Sequence, residues 1–251
     1  MPNLKRAIAL AAALSLIALT SLGALSASAA SAHQQHAPNE VIPMAGKKAT
    51  QIVRISPLTS SGALKKAWKA DVEPRDEDAD PDDGIDCSES MSPSFALNDG
   101  TYECPPTVLG AYACWSSPEY AGQLLCLNAP GSKTLRSMAV KNLPTSTRAP
   151  RTPRPLALEL ADGSRWNLKT GGTYPARKDG LQGVYLCANK VCSKKRTGKD
   201  LAVLSSGGHG VNRSKPVWTV RVGEVGSYDE SFPAPKRQKV KKAYFIHNGV
   251  G

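Results

Sequence analysis

All six cysteines of this chain, Cys87, Cys104, Cys114, Cys126, Cys187 and Cys192, lie beyond residue 86. None are spaced as C-x-x-C, so the paired knuckles of a zinc ribbon are excluded. An even cysteine count in an exported chain reads as a disulfide framework, here three bridges holding a small fold. Six cysteines admit many pairings, and spacing singles out one. Val184-Tyr185-Leu186-Cys187, then Ala188-Asn189-Lys190, then Val191-Cys192 reads as a hairpin that sets Cys187 and Cys192 on facing strands.

The oxidising compartment that disulfides need is consistent with the start of the chain. Lys5 and Arg6 precede an uncharged run from Ala7 to Leu25, and Ala27-Ser28-Ala29 and Ala30-Ser31-Ala32 follow. That order of charge, apolar run and A-x-A sites is the layout of a secretory signal peptide, with cleavage expected after Ala32 or slightly before. The alternative is an uncleaved single-span anchor, because the run is nearly long enough to cross a bilayer. The A-x-A sites directly after it favour cleavage. No cysteine stands there to take a lipid anchor, and no later run is long and apolar enough to span. The expected protein is therefore secreted or wall-associated, and monomeric.

The net charge of +11 is unevenly distributed. Residues 33–100 hold 7 Lys/Arg against 12 Asp/Glu, residues 101–143 hold 3 against 2, and residues 144–251 hold 20 against 7. Outside the cell, a basic surface meets anionic partners: envelope polymers, lipid head groups or acidic protein surfaces. Specific nucleic-acid binding is a poor reading there, although non-specific binding follows from charge alone. Solubility, or docking of the acidic segment on the basic one, are the blander explanations.

Residues 33–100 are rich in Ala, Ser, Pro, Asp and Lys and poor in aromatics, which predicts a mostly disordered acidic linker. Two stretches stand out from it. Gln51 to Ser56 alternates like a strand, and Ala63 to Ala70 spaces Leu64 and Trp68 at i and i+4, as in two turns of helix. From Thr101 onward short strand candidates recur between Gly, Pro, Asn and Asp: 108–115, 123–127, 134–141, 183–188, 201–205, 217–222 and 240–247. The strongest local signal is a hairpin, Leu156-Ala-Leu-Glu-Leu160 turning at Asp162-Gly163 into Arg165-Trp-Asn-Leu168; Asp-Gly predicts a primed turn with both residues at positive φ. No helix-length periodic segment follows residue 101. The fold class expected is mainly β, a small disulfide-stapled antiparallel sandwich or barrel over 101–251. Pro144 to Pro155 is a Pro-rich basic spacer, expected to lie extended across its surface.

Within that region Glu103-Cys104-Pro105-Pro106, Cys114-Trp115, Leu125-Cys126-Leu127 and Trp218-Thr-Val-Arg-Val-Gly223 follow in an order that resembles secreted, β-rich, cysteine-containing proteins of high-GC Gram-positive (actinobacterial) bacteria that carry no assigned function. The resemblance covers about the last 150 residues. It implies export and a single folded unit, and supplies no catalytic residue.

Several clusters are candidates for chemistry. The acidic run 76–89 places Asp78, Asp80, Asp82, Asp86 and Glu89 at positions 1, 3, 5, 9 and 12 of an EF-hand-like calcium loop. The sixth position, which needs Gly for the turn, is Asp83, and Gly84 comes one residue late. A solvated acidic linker is thus the stronger reading, calcium the weaker, and no other cofactor is implied. For nucleophilic catalysis no G-x-S-x-G or H-E-x-x-H is present. His209, in Ser205-Ser-Gly-Gly-His-Gly210, is the first residue to test for a hydrolase, and His247 is the other core histidine.

The basic clusters are Lys194-Lys195-Arg196 and Lys236-Arg237-Gln238-Lys239-Val240-Lys241-Lys242, with Arg148, Arg151 and Arg154 in the spacer. Alternation puts Lys239 and Lys241 on one strand face. That strand is either a polyanion-binding face or an edge guarded by lysines. Three function classes remain open on sequence: a non-catalytic binding protein using its basic C-terminal half, an inhibitor inserting a disulfide-rigid loop such as 105–125, and a hydrolase.

Overall fold

The computed structural model describes residues 41–42, 49–72, 84–107, 110–196, 198–208 and 210–249. Strands form at Val41–Ile42 (β1), Gln51–Ile55 (β2), Lys69–Asp71 (β3), Ile85–Asp86 (β4), Cys114–Ser116 (β5), Gln123–Leu127 (β6), Thr134–Lys141 (β7), Ala157–Leu160 (β8), Arg165–Leu168 (β9), Gln182–Cys187 (β10), Asp200–Ser205 (β11), Val211–Asn212 (β12), Thr219–Val225 (β13) and Lys236–Ile246 (β14). Helix among the described residues is limited to short turns such as Lys190–Ser193 (α1) and the 3-10 turn Pro118–Tyr120.

Between sandwich and barrel, the structure is a barrel. Strands β8, β9, β10, β11, β13 and β14 pair in that order, and β14 returns to β8, every contact antiparallel. Closure removes the open edges of these six strands. Leu158, Leu160, Trp166, Leu168, Tyr185, Val203, Val220 and Val240 belong to one buried cluster, at the alternate positions that pairing puts on the barrel interior.

The long strand β14 also leaves the barrel. Lys236 to Lys239 pair with β13, and Lys242 to Ile246 pair in parallel with β2 on the same edge. At the point of exchange the buried Thr50 hydroxyl accepts from Trp218 N–H at 2.8 Å and donates to Val240 C=O at 2.8 Å, while Thr50 N–H reaches Pro216 C=O at 2.9 Å. The far end of β14 then meets a second sheet. In it β5, β6 and β7 are antiparallel, and β3 and β4 both lie parallel to β7. Trp115 on β5 donates its indole N–H to His247 C=O at 3.0 Å.

Both faces of the small sheet are buried, which explains the unbroken apolar run of β6. Trp115, Leu125 and Leu127 point to the main core, whereas Cys114, Leu124 and Cys126 point to a satellite core with Cys87, Tyr102, Cys104 and Ala111. Two disulfides, Cys87–Cys104 and Cys114–Cys126, make up much of that satellite. The third bridge is Cys187–Cys192, the pairing expected from sequence. Its setting differs from the expected hairpin. Cys192 sits in α1, because the Asn189 side chain caps that turn by accepting from Cys192 N–H, and Asn189 Nδ2 also donates to Gly163 C=O at 3.0 Å.

Other expectations need correction. The linker boundary at residue 101 falls inside the folded unit, since β2 lies on the barrel sheet and Trp68, Phe95 and Ala96 are buried in the main core. Few but large apolar residues in a polar stretch suffice to dock it. Ala63–Ala70 is not helical. Leu64 bridges Leu58, and Trp68 precedes strand β3, with Lys133 Nζ 4.5 Å from its ring centre. The Asp162-Gly163 turn has positive φ at Gly163 alone. Asp162 Oδ1 instead accepts from Ser164 N–H (2.9 Å) and Ser164 Oγ (2.6 Å), which stabilises a longer loop closed by Leu160 N–H to Ser164 C=O. Strand β14 is not an edge strand; it is paired on both sides.

The Pro-rich spacer closes the end of the barrel where β8 begins. Tyr185 donates to Pro155 C=O at 2.9 Å and Arg213 Nη2 to Pro153 C=O at 2.8 Å, with the Arg213 guanidinium 4.6 Å from the Trp218 ring. At Thr50, replacement by Val keeps the volume and strips the hydroxyl, leaving a buried amide without its partner. The expected loss is about 2–3 kcal/mol in denaturant unfolding, most of it restored by Thr50→Ser. A Thr50→Val protein as stable as the wild type contradicts a structural role for the fork.

Candidate functional site

Pairing register decides which basic side chains share a surface. On β14 the inward positions are Lys236, Gln238 and Val240, opposite Val222, Val220 and their neighbours on β13. Arg237 and Lys239 therefore point outward. Arg237 stands directly across from Arg221, and both are exposed. Like charges opposite each other across a strand pair repel. Among the described residues neither arginine, nor Lys239, makes an ion pair.

The other end of the basic tract is treated differently. A bulge between Val240 and Lys242 sets two lysines against Glu159 of β8. Lys241 Nζ lies 3.1 Å from Glu159 Oε1, Lys242 Nζ 3.6 Å and Arg165 Nη2 3.6 Å from Oε2, and Tyr244 donates to Oε2 at 3.2 Å. Glu159 is 6% exposed. Burial alone would raise its pKa, but the Lys241 hydrogen bond with the Lys242 and Lys241 charges hold it below the usual carboxylate value. Lys241 is thus engaged within the fold, and the exposed basic strip that remains is Arg221, Arg237 and Lys239.

The second basic cluster is divided in the same way. Lys195 is paired with Asp162 and Arg196 with Asp200 at 3.0 Å, while Lys194 is exposed at the end of α1. Lys195 and Lys236, 41 residues apart in sequence, line one cavity of about 300 Å³ at the end of the barrel opposite the spacer. Sequence reasoning did not find it, because its walls come from four hairpin and loop ends that no local pattern links.

Of the acidic run, Asp78, Asp80 and Asp82 lie outside the described residues. Asp86 Oδ1 accepts from Ser88 N–H at 2.9 Å and from Asn142 Nδ2 at 3.3 Å, and these bonds lower its pKa. Glu89 is exposed two residues beyond Cys87. No group of three or more His, Cys, Asp or Glu able to hold a metal occurs among the described residues. His209 also lies outside them.

His247 is partly buried. Its Nδ1 accepts from Gly249 N–H at 3.0 Å, and burial, with Arg54 and Lys65 nearby, lowers its pKa to about 4. Within the 105–125 segment Ala111, Ala113, Trp115, Leu124 and Leu125 are buried, whereas Pro105, Pro106, Ser116, Pro118, Glu119, Ala121 and Gly122 are exposed.

Three disulfides suit an oxidising environment, and among the described residues no helix is long and apolar enough to cross a membrane. No protein-family model, curated protein or solved structure matches the chain.

Two titrations follow from these contacts. His247 has its ordinary value near 6.5 when unfolded and about 4 when folded, so the unfolded chain binds the extra proton between them. Stability contributed by neutral His247 is complete above pH 6.5 and is lost as pH falls toward 4. His247→Asn, which retains an acceptor near the Nδ1 position, is expected to flatten the pH dependence of unfolding across that window. An unchanged slope contradicts the assignment. Glu159, with its lowered pKa, contributes stability above pH 4.5 that is lost on acidification. Glu159→Gln is expected to lower the unfolding midpoint at pH 7, and Lys241→Met to cost less, since it removes one cation of three.

Proposed function

We propose that this chain is a secreted, non-catalytic binding protein that holds an anionic envelope polymer, or an acidic surface of similar charge density, on the outer face of strands β13 and β14. The observation that carries the reading is the Arg221–Arg237 pair. The fold sets Lys241 and Lys242 against one buried glutamate, whereas among the described residues the two arginines across the strand pair, and Lys239 beside them, have no acidic partner. A repulsion of this kind stabilises nothing in the free protein. It is relieved by an anion lying across the two strands. Spaced anionic groups of a polymer suit such a strip, because arginine presents a planar fork of donors to phosphate or carboxylate.

The test separates binding from stability. Arg237→Glu puts opposite charges across the strand pair, so the protein is expected to gain a few tenths of a kcal/mol in thermal unfolding. The same variant is expected to lose sedimentation with isolated cell envelopes at low salt. Wild-type sedimentation should also vanish at ~0.5 M salt, where surface electrostatics are largely screened. Lys241→Met, whose cation already serves Glu159, is the control and should sediment like the wild type. Envelope binding that survives both Arg237→Glu and ~0.5 M salt overturns the proposal.

A further inference from the structure

The cavity at the open end of the barrel interrupts the packing rule that the rest of the interior follows. Along β13 the inward row runs Val220, Val222, Glu224, and along β14 it runs Val240, Gln238, Lys236. Both rows turn from apolar to polar as they reach the mouth. Polar residues at core-facing positions weaken a barrel unless something else uses them. Below them the cavity floor is apolar, formed by Leu160, the buried Trp166, Leu201 and Val222. Pro233 and Ala234 of the β13–β14 connection form one wall.

Two features hold the cavity open. Arg177, itself buried, donates to Glu224, Phe232 and Pro233 carbonyls at 3.0, 3.2 and 3.0 Å, and so fixes the connection that makes the wall. On the other side Trp166 Nε1 donates to Ser164 Oγ, which donates to Asp162, which pairs with Lys195. The Asp162 and Lys195 charges thereby satisfy each other. Among the described residues, the Lys236 ammonium and the Gln238 amide make no hydrogen bond or ion pair. They are the cavity's polar groups without a partner, one a cation and the other a neutral donor and acceptor; Glu224, at the same mouth, is already engaged.

We infer that this mouth is a second binding site, for a small amphipathic anion whose charged head meets Lys236 and Gln238 and whose apolar part lies on Trp166, Leu160 and Val222. The volume falls at the lower end of that of small-molecule sites, and the mix of an apolar floor with a few convergent polar groups is their usual chemistry. The site is separate from the polyanion strip, because Lys236 and Gln238 face inward where Arg237 and Lys239 face outward.

Octanoate is the probe, with octanol and acetate as its apolar and polar halves. The Trp166 indole N–H resonance of the oxidised protein, assigned through Trp166→Phe, is expected to shift saturably with octanoate and not with acetate. Lys236→Met is expected to weaken octanoate by about tenfold, the effect of one charge-assisted contact, and to leave octanol unchanged. Val222→Trp, or Leu201→Phe if that variant fails to give a dispersed spectrum, fills the cavity and should abolish both. No octanoate-dependent shift overturns the site. Octanoate binding that Lys236→Met leaves intact overturns the anion assignment, and binding that survives a folded cavity-filling variant places the ligand elsewhere. The envelope-binding outcome does not bear on any of these results.

Discussion

Strand β14 has hydrogen-bond partners along both edges, and no other element touches so many parts of the molecule. One edge serves β13 and then β2, the other serves β8, and its end bonds Phe95 and Leu97 through Ile246 and reaches the small sheet through His247. A strand can change partner on one edge only if the backbone groups at the gap find something else to bond. Thr50 supplies that: one hydroxyl acts as donor and acceptor between two chains that are diverging. A buried backbone group left without a partner costs about 1–3 kcal/mol, so the fork depends on this side chain. The barrel, the β2 extension and the seat of the second sheet follow from it.

The disulfides do a different job from the one their number suggests. The barrel buries a continuous apolar interior that needs no bridge across it, and Cys187–Cys192 pins only a loop at its mouth. The two bridges at Cys87–Cys104 and Cys114–Cys126 stand together on the outer face of the small sheet, where a few short strands supply little else to bury. Closing loops of 17 and 12 residues restricts the unfolded chain by about 3 kcal/mol each in the chain-entropy account. Covalent stabilisation is therefore concentrated where hydrophobic burial is thinnest.

How much of this could be read from sequence depended on range. Strands β7, β8, β9 and β11 were legible because alternation and turn residues act over a few positions. The Cys187–Cys192 bridge was legible for the same reason, although α1 was not, since its cap by Asn189 also required contact with Gly163. Before residue 101 the strand at Gln51 to Ile55 was legible from its alternation, but the rest of the folded stretch was not, because composition averages over a window. Phe95 and Trp68 are single large residues in polar surroundings, yet each is buried against the barrel or small sheet. Lys241 illustrates the same limit at the candidate site. Strict alternation puts Lys241 on the face of Lys239 and Lys242 on the other, but a bulge brings both lysines to a glutamate more than 80 residues away in sequence.

That contrast gives the charge pattern its meaning. A net charge of +11 would by itself be satisfied by lysines scattered over any surface. Here the fold shows two ways of placing a cation. At Glu159 three cations share a buried carboxylate, and a backbone bulge aims two of them at it. At Arg221 and Arg237 the pairing register sets two exposed arginines directly across from each other, and among the described residues neither is in an ion pair. Changing either arginine to a neutral residue would relieve that repulsion without disturbing the core, since both side chains are on the solvent face. Retaining both is a cost to the isolated protein, one that the proposed binding of an anion across the strands would offset.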